Sequence, residues 1–537
     1  MIRLSGIRIP AKTGESGLWA EAARACGARG LRDGRILKKS VDARKKDDVC
    51  LVYSVAFSAD NEEDILRRVR GAENWTPALG PEFPAVDLKE GTPPAVIVGM
   101  GPAGLFAAWR LCRSGVPCIL LERGRPVERR TEDVRRFWKT GELDETSNVQ
   151  FGEGGAGTFS DGKLTCGTGD RRIRWVLEAL ASFGAPEDIL YLAKPHVGTD
   201  RLKSTVTGMR RWLTEHGCQV RFETKVTGLL TENGRVTGVR ATCGGTESEV
   251  PASAVILCPG NSARDTFEML REAGAKLSAK PFSVGVRIEH RQEDVDTAQY
   301  GQAATLGTLP HSDYKLAVHL PDGRSVYTFC VCPGGYVVAS ASETGGVVTN
   351  GMSEYARDNE NICGGLLVSV TPEDFDNDPF RAVAFQRELE SSAFRLGGGG
   401  YAAPAQKVGD FLRNIPSCGP GKVIPTYKPR IKWGKLDDCL PGFVCDALRQ
   451  ALPQMGRKIR GFDDPDAVLT AVETRSSCPL RIERETGGNA VGLPGLYPCG
   501  EGAGYAGGIV SAAVDGIKTA EAVCLELTGR SAEGERT

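Results

Sequence analysis

The chain has 537 residues, with 67 Lys and Arg against 68 Asp and Glu. That length calls for two or three domains and a core that needs no disulfide, and the balanced charge gives no global field toward nucleic acid or membrane. Glycine is over-used, at 67 residues; seventeen of them crowd into 99–104, 152–169 and 495–516, which excludes a low-complexity or collagen-like chain and points to backbone that approaches something closely.

Residues 1–75 read as a small α+β unit. It has a strand over 1–9, a helix over 18–26, a strand over 49–57, and a second helix with Asn61 as N-cap and Glu62, Glu63 and Asp64 in its first turn. Nine basic residues between Arg24 and Lys46 meet only Asp33 and Asp42. Such a run could bind RNA or an acidic partner. No aromatic residue lies between Trp19 and Tyr53 to stack on bases, so a solvated basic face is the plainer reading and nucleic acid is not expected. Residues 76–94, with five prolines, form a linker.

Next come a β-rich run at 95–98, a glycine turn (Gly99, Gly101, Gly104), a helix to about 114, and an apolar strand over 118–121 that ends in Glu122. This order is a dinucleotide-binding fingerprint. Gly99 makes the tight turn, Gly101 admits a pyrophosphate, and Gly104 lets helix and strand pack; the helix N-terminus offers N–H groups to phosphate, and Glu122 suits a ribose diol. Pro102, Ala103 and Arg123 stand beside them as further candidate contacts. FAD and NAD both satisfy the unit.

Two more glycine clusters lack the side chains to pack as core. One holds Gly152, Gly154, Gly155 and Gly157; the other runs through Gly500, Glu501, Gly507 and Gly508 to Ile509. Between them lie a helix over 206–216, strands over 219–229 and 236–241 with an Asn233-Gly234 hairpin turn, and a buried strand over 254–257 closed by Pro259-Gly260. Residues 281–470 read as a strand-containing insert, and 528–537 as a polar tail.

A strand ending in Gly500-Glu501, followed by glycines and a helix start, resembles the second FAD motif of the glutathione-reductase-like flavoprotein superfamily. The resemblance implies that Glu501 binds the ribityl chain, and that the helix from Gly508 and Ile509 aims its positive end at the flavin N1/C2=O edge. Cys258-Pro259-Gly260 is similar to that superfamily's intermediate strand-end turn, and Val226 falls where a backbone contact to adenine is usual. More closely, the runs 149–164 (VQFGEGGAGTFSDGKL), 261–265, 327–335, 473–477 and 500–509 resemble a little-characterised family of FAD-dependent dehydrogenases across most of 95–525.

The implied fold is α/β. A Rossmann-type FAD-binding domain (95–280 and 471–527) carries an inserted mixed α+β substrate domain (281–470), preceded by the small N-terminal α+β domain. The implied function is hydride transfer between an unidentified small-molecule substrate and flavin N5, with an external electron donor or acceptor for which NAD(P)H is one candidate. A flavoprotein that binds RNA or a protein partner through 24–46 is the alternative.

No two cysteines stand five apart, so the Cys-x4-Cys pair of the superfamily's disulfide reductases is missing, and no second strand–GxGxxG–helix unit appears. The cysteines form no Cys-x-x-Cys pair and the histidines no helical His-x3-His pair, so no metal is expected. Scattered thiols and the lack of a signal-like or spanning apolar run fit a cytoplasmic protein away from membranes.

Catalytic candidates are Cys330 and Cys332, which share one face if their run is extended and would both point at the cofactor. Two small core thiols fit the same pattern. Lys163 suits anionic flavin or a substrate carboxylate, or else is a solvated lysine. His196 and Arg475 suit acid/base or anion-binding work; a satisfied loop histidine is the plainer reading of His196. The glycine run 397–400 has no assignment, and substrate chemistry is expected near it.

Overall fold

The computed structural model describes residues 1–77 and 80–529; positions 530–537 of the expected tail lie outside them. Alternating apolar residues build the first sheet, where Ile2, Leu4, Ile7 and Ile9 pack with Tyr53, Val55 and Phe57 beneath the helix Leu18–Cys26. Its strands run in the order Arg32–Asp42, Cys50–Ser58, Ile2–Pro10, Glu73–Asn74, all antiparallel.

The strand Arg32–Asp42 is absent from the sequence reading because no position along it is fully buried, so no apolar alternation marks it. Within it and beside it, Arg24, Arg32, Lys39 and Arg44 pair with Glu21, Asp60, Glu15 and Asp42. Asn61 holds the N-cap position of the helix Glu62–Arg68 as expected, but its side chain makes no cap bond. Its side chain accepts from the Arg29 N–H at 2.9 Å and donates to the Gly27 carbonyl at 3.0 Å, which ties down the preceding loop instead.

The second sheet is wholly parallel, in the order Leu496–Pro498, Val255–Leu257, Ala95–Val98, Cys118–Leu121, Gln219–Arg221. Apart from Gln219–Arg221 these short runs are apolar on both faces, because one face packs under helices and the other against Val226, Val236, Val239, Phe267 and Leu270. The helices Pro102–Arg113 and Ile509–Leu527 pack together on one side, with Ala103, Ala107, Ala513 and Ile517 in their shared core. The stretch expected as one strand over 219–229 breaks at Phe222 and Glu223, and the second part joins a separate three-stranded antiparallel sheet.

The insert is built on a mixed seven-stranded sheet centred on Phe282–Arg291 and Asn361–Val370, whose residues are nearly all buried. Its strand Val468–Glu473 pairs with Phe282–Arg291. The expected return to the cofactor domain at 471 therefore falls inside a strand of the insert, and the chain leaves that sheet only after Glu473. Leu277–Ala279 and Leu480–Ile482 then pair antiparallel where the chain enters and leaves. Residues 397–400 form the turn that ends the helix Pro379–Leu396 and are not part of the cleft described below. Among the described residues no helix is long and apolar enough to cross a membrane.

Candidate cofactor cleft and active site

The carboxyl ends of the parallel strands converge on one cleft, as in other open α/β sheets. Gly99, Glu122, Cys258 and Cys499, each just beyond a strand, all line it. Gly99 has φ +97°, and a Cβ there would run into the Cys258 carbonyl, so the close approach of two strand ends demands glycine.

The glycines test whether a dinucleotide fits. A Cβ on Gly260, Gly507 or Gly508 would meet nothing within 4 Å, and one on Gly101 only the Gly155 Cα at 3.9 Å. All four line the cleft, so their missing side chains leave room for a ligand rather than for protein. Gly104, Gly154 and Gly500 are different. They do not line the cleft, and a Cβ on each would collide with Gly99, Thr158 or Ala103. Their direct contact with a cofactor is not supported; they permit packing. Gly155 and Gly157 line the cleft and also pack closely, against Gly101 and Ile509.

At one end, Glu122 is buried and accepts from the backbone N–H groups of Met100 (2.8 Å), Gly124 (2.9 Å) and Gly152 (3.0 Å). A carboxylate has about four acceptor sites, so one stays available for a ribose hydroxyl. Arg123 is held by Asp265 at 3.1 Å and stacks over Phe151 at 4.3 Å, and Val226 borders the same end. Pro102 and Ala103 line the cleft at the start of their helix, where no side chain caps the free N–H groups.

At the other end, Gly508 and Ile509 open the helix Ile509–Leu527, which has no acid in its first turn. Beside them stand Lys163, Cys330, Glu473, Arg475 and Glu501. Burial pushes the Glu501 carboxyl up to about 7, against Lys280 and a hydrogen bond from Asn261 Nδ2 at 2.9 Å. Burial likewise pushes Glu473 up to about 7, opposed by Arg287, whose Nη1 lies 3.1 Å from Glu473 Oε2.

The structure revises three catalytic expectations. Cys330 and Cys332 do not share a strand face. A bulge between Phe329 and Cys332 leaves Cys330 at φ +44°, so Cys330 reaches the cleft while Cys332 is buried behind it. His196 lies outside the cleft; its Nε2 bonds the Tyr355 carbonyl at 3.0 Å and its ring stacks on Tyr355. Arg475 borders the cleft, but its guanidinium is committed to Glu390, at 3.0 and 2.9 Å, and to Ser342. Lys163 is half-buried at the cleft wall, next to Asp161, which Arg357 and Ser353 hold.

Two functional candidates escaped sequence reading. Glu473 ends the buried run Val468–Glu473 much as Glu122 follows its own strand, and that parallel was the available signal. Arg130 is fully buried and donates to the carbonyls of Asn148, Val149 and Glu153, which shapes the second glycine loop from below. Nothing distinguishes it in sequence from its neighbours Arg129, Arg135 and Arg136.

Three families match parts of the chain: an FAD-dependent protein, C-terminal domain-like, over residues 281–476; an FAD binding domain over 174–290; and a domain of unknown function over 1–58. An uncharacterized protein of Clostridium beijerinckii is 45% identical over 498 residues, covering 90% of this chain and 91% of that one. Among solved structures, the flavin-dependent brominase Bmp2 is 14% identical over 82% of this chain and 80% of its own, with a TM-score of 0.38. A geranylgeranyl bacteriochlorophyll reductase-like protein of Thermoplasma acidophilum is 14% identical over 82% and 79%, with a TM-score of 0.36. Likenesses this slight transfer neither activity to this chain. The two FAD families make FAD the cofactor.

Proposed function

The chain belongs to the family of the Clostridium beijerinckii protein and contains an FAD-dependent C-terminal domain, and on that footing we propose that it is an FAD-dependent oxidoreductase acting on a small molecule. The observation that supports this reading is the continuity of the cleft, from the Gly99–Gly101 turn to the polar group of Lys163, Glu473 and Cys330. When bound, FAD supplies a two-electron acceptor whose N5 exchanges hydride with substrate.

The chain's own residues prepare that exchange. Gly101 and the helix behind it hold the pyrophosphate, Glu122 the ribose, and Glu501 the ribityl chain. The amino end of Ile509–Leu527 favours negative charge at the ring edge. Lys163 adds a positive charge on the same wall. Glu473, with its carboxyl near neutrality, holds or releases a proton at Oε1 or Oε2 while Arg287 fixes its orientation.

The reading is tested by purifying the protein and releasing flavin by heat, then mixing the holoprotein anaerobically with NADH, NADPH and a panel of reduced metabolites. A yellow protein bleached by at least one donor is expected. A colourless protein without releasable flavin overturns the cofactor assignment, and a flavin that no donor reduces overturns the oxidoreductase assignment.

A further inference from the structure

The cleft takes up the carboxyl ends of the parallel strands. At their amino ends stand three cysteines to which the proposed reaction gives no role: Cys112 in the last turn of the helix Pro102–Arg113, Cys118 at the start of the strand Cys118–Leu121, and Cys218 just before the strand Gln219–Arg221. None of them lines the cleft.

Cys112 and Cys118 touch sulfur to sulfur, with Sγ atoms 3.8 Å apart. The turn between them is pinned along its length. The Ser114 N–H donates to the Leu111 carbonyl at 2.9 Å, the Gly115 N–H to the Cys112 carbonyl at 3.0 Å, and the Val116 N–H to the Leu111 carbonyl at 3.0 Å. From the neighbouring strand the Ala95 N–H donates to the Pro117 carbonyl at 2.9 Å, and the Ser114 hydroxyl donates to the Pro84 carbonyl at 2.7 Å. The fold therefore brings the two sulfurs together without any search, and only the gap to the ~2.0 Å of a disulfide is left to close.

The two thiols differ in access. Cys112 is half-buried, whereas Cys118 and Cys218 are buried. The contact with Cys118 brings the Cys112 thiol below its ordinary value and leaves Cys118 well above its own. Cys112 is thus the sulfur that carries the charge of the pair, with a protonated thiol behind it. Cys118 and Cys218 each precede the register pair Ile119–Gln219 by one residue, which makes Cys218 the competing partner for Cys118.

We infer that Cys112 and Cys118 form an oxidation site that hydrogen peroxide converts from dithiol to disulfide, with Cys112 the attacking sulfur and Cys118 the resolving one. Cys112 attacks one peroxide oxygen and becomes a sulfenic acid; the O–O bond breaks, and the other oxygen leaves as water with the thiol proton. The Cys118 sulfur then attacks that of Cys112. An S–S bond forms, the S–O bond breaks, and a second water leaves with the Cys118 proton. The sulfurs lose two electrons and the peroxide gains them; a small dithiol reverses the change by exchange. The new bond joins the helix Pro102–Arg113 to the strand Cys118–Leu121, beyond whose opposite ends Gly101 and Glu122 line the cleft. The inference does not depend on the FAD reading.

For the test, the purified protein is reduced with dithiothreitol, freed of it and exposed to hydrogen peroxide; timed samples are denatured, alkylated and digested with trypsin. In the reduced chain Cys112 and Cys118 fall on the separate peptides 111–113 and 114–123, and Cys218 on 212–221. Peptides 111–113 and 114–123 are expected to appear joined, lighter than their sum by two hydrogen atoms, and to separate again with dithiothreitol. The joined product should form about tenfold faster than the exposed Cys243 and Cys418 lose their thiols. Cys218→Ser is expected to keep it. Cys112→Ser and Cys118→Ser are expected to lose it, with flavin content and the unfolding midpoint of the reduced protein unchanged. Wild type that is still alkylated at both Cys112 and Cys118 once peroxide has consumed Cys243 and Cys418 overturns the inference, and it does so without any variant. So does a product that joins 114–123 to 212–221, which would pair Cys118 with Cys218. A colourless protein fails the FAD reading alone, since the peptide measurement needs no flavin.

Discussion

The Arg130 guanidinium donates through Nε to the Asn148 carbonyl at 2.8 Å. Its other two nitrogens reach the Glu153 and Val149 carbonyls at 2.6 and 3.0 Å, so one fully buried cation organises the loop that faces the Gly99–Gly101 turn. Burial lowers its pKa only to about 10, and it stays charged at neutral pH. Arg130→Met strands three carbonyls and is expected to cost about 2–4 kcal/mol. The expected result is a lower unfolding midpoint together with a flavin-to-protein ratio well below one, measured by denaturant titration and absorbance. A variant that keeps its flavin would show that the loop does not depend on this residue.

Gly101→Ala and Gly104→Ala should separate cofactor space from protein packing. A methyl on Gly101 meets only a contact at 3.9 Å in the protein, so this variant is expected to fold with wild-type stability and lose flavin. A methyl on Gly104 strikes the Gly99 carbonyl and crowds Ile97. That variant should be destabilised by about 1–3 kcal/mol. Thermal unfolding of the two apoproteins, compared with their flavin content, checks both outcomes.

Glu390 joins Arg264 and Arg475 in a buried charge cluster that ties the insert to the cofactor domain, with Arg264 bonds of 2.9 and 2.8 Å and Arg475 bonds of 3.0 and 2.9 Å. Burial alone would push the Glu390 carboxyl up, but Arg475 and Arg264 outweigh it and hold the group well below the carboxylate range. A depressed carboxyl contributes stability that is present above its unfolded value and lost as pH falls through the folded one. Glu390→Gln leaves two buried guanidinium groups with only the half-exposed Glu343 as counter-ion and is expected to cost about 3–5 kcal/mol at neutral pH. Its stability should also fall less steeply than wild type as pH drops below about 4. Urea midpoints from acid to neutral pH check the sign.

Glu473 carries the opposite sign. Its carboxyl is raised to about 7 by burial, against Arg287, so its contribution is complete below the unfolded value of about 4.3 and is lost as pH rises through the folded one. Glu473→Gln is expected to flatten the fall in stability between about pH 4 and pH 7, and to remove a limb near neutrality from the pH profile of flavin reduction. An unchanged profile would rule Glu473 out as the proton-handling group.

Much of the cofactor site was legible because its signals are local. The strand, glycine turn, helix and acid at 95–122 lie in consecutive sequence, and each is dictated by backbone geometry. Glu501 and the helix start at Ile509 are also contiguous in sequence, but their reading came from the resemblance to a flavoprotein motif. The partners of Arg475 could not be read this way, since Glu390 and Ser342 reach it from distant elements. The pairing of Cys332 with Cys363 has the same cause, because it requires the register of two strands that close over a long connection. Asn61 shows that a sound local rule can lose to a neighbour: its amide found the Gly27–Arg29 loop, and that tertiary contact displaced the cap bond.

The sequence by itself determined that the chain makes room for a dinucleotide, because missing side chains are visible wherever they occur. Only the tertiary structure decided which glycines leave that room for a ligand and which for protein. Gly101 and Gly508 border the open cleft, while Gly104 and Gly500 lie against neighbouring backbone or side chains. The reason is physical: an absent Cβ is a property of the residue, but the atom that would have met it belongs to another part of the fold.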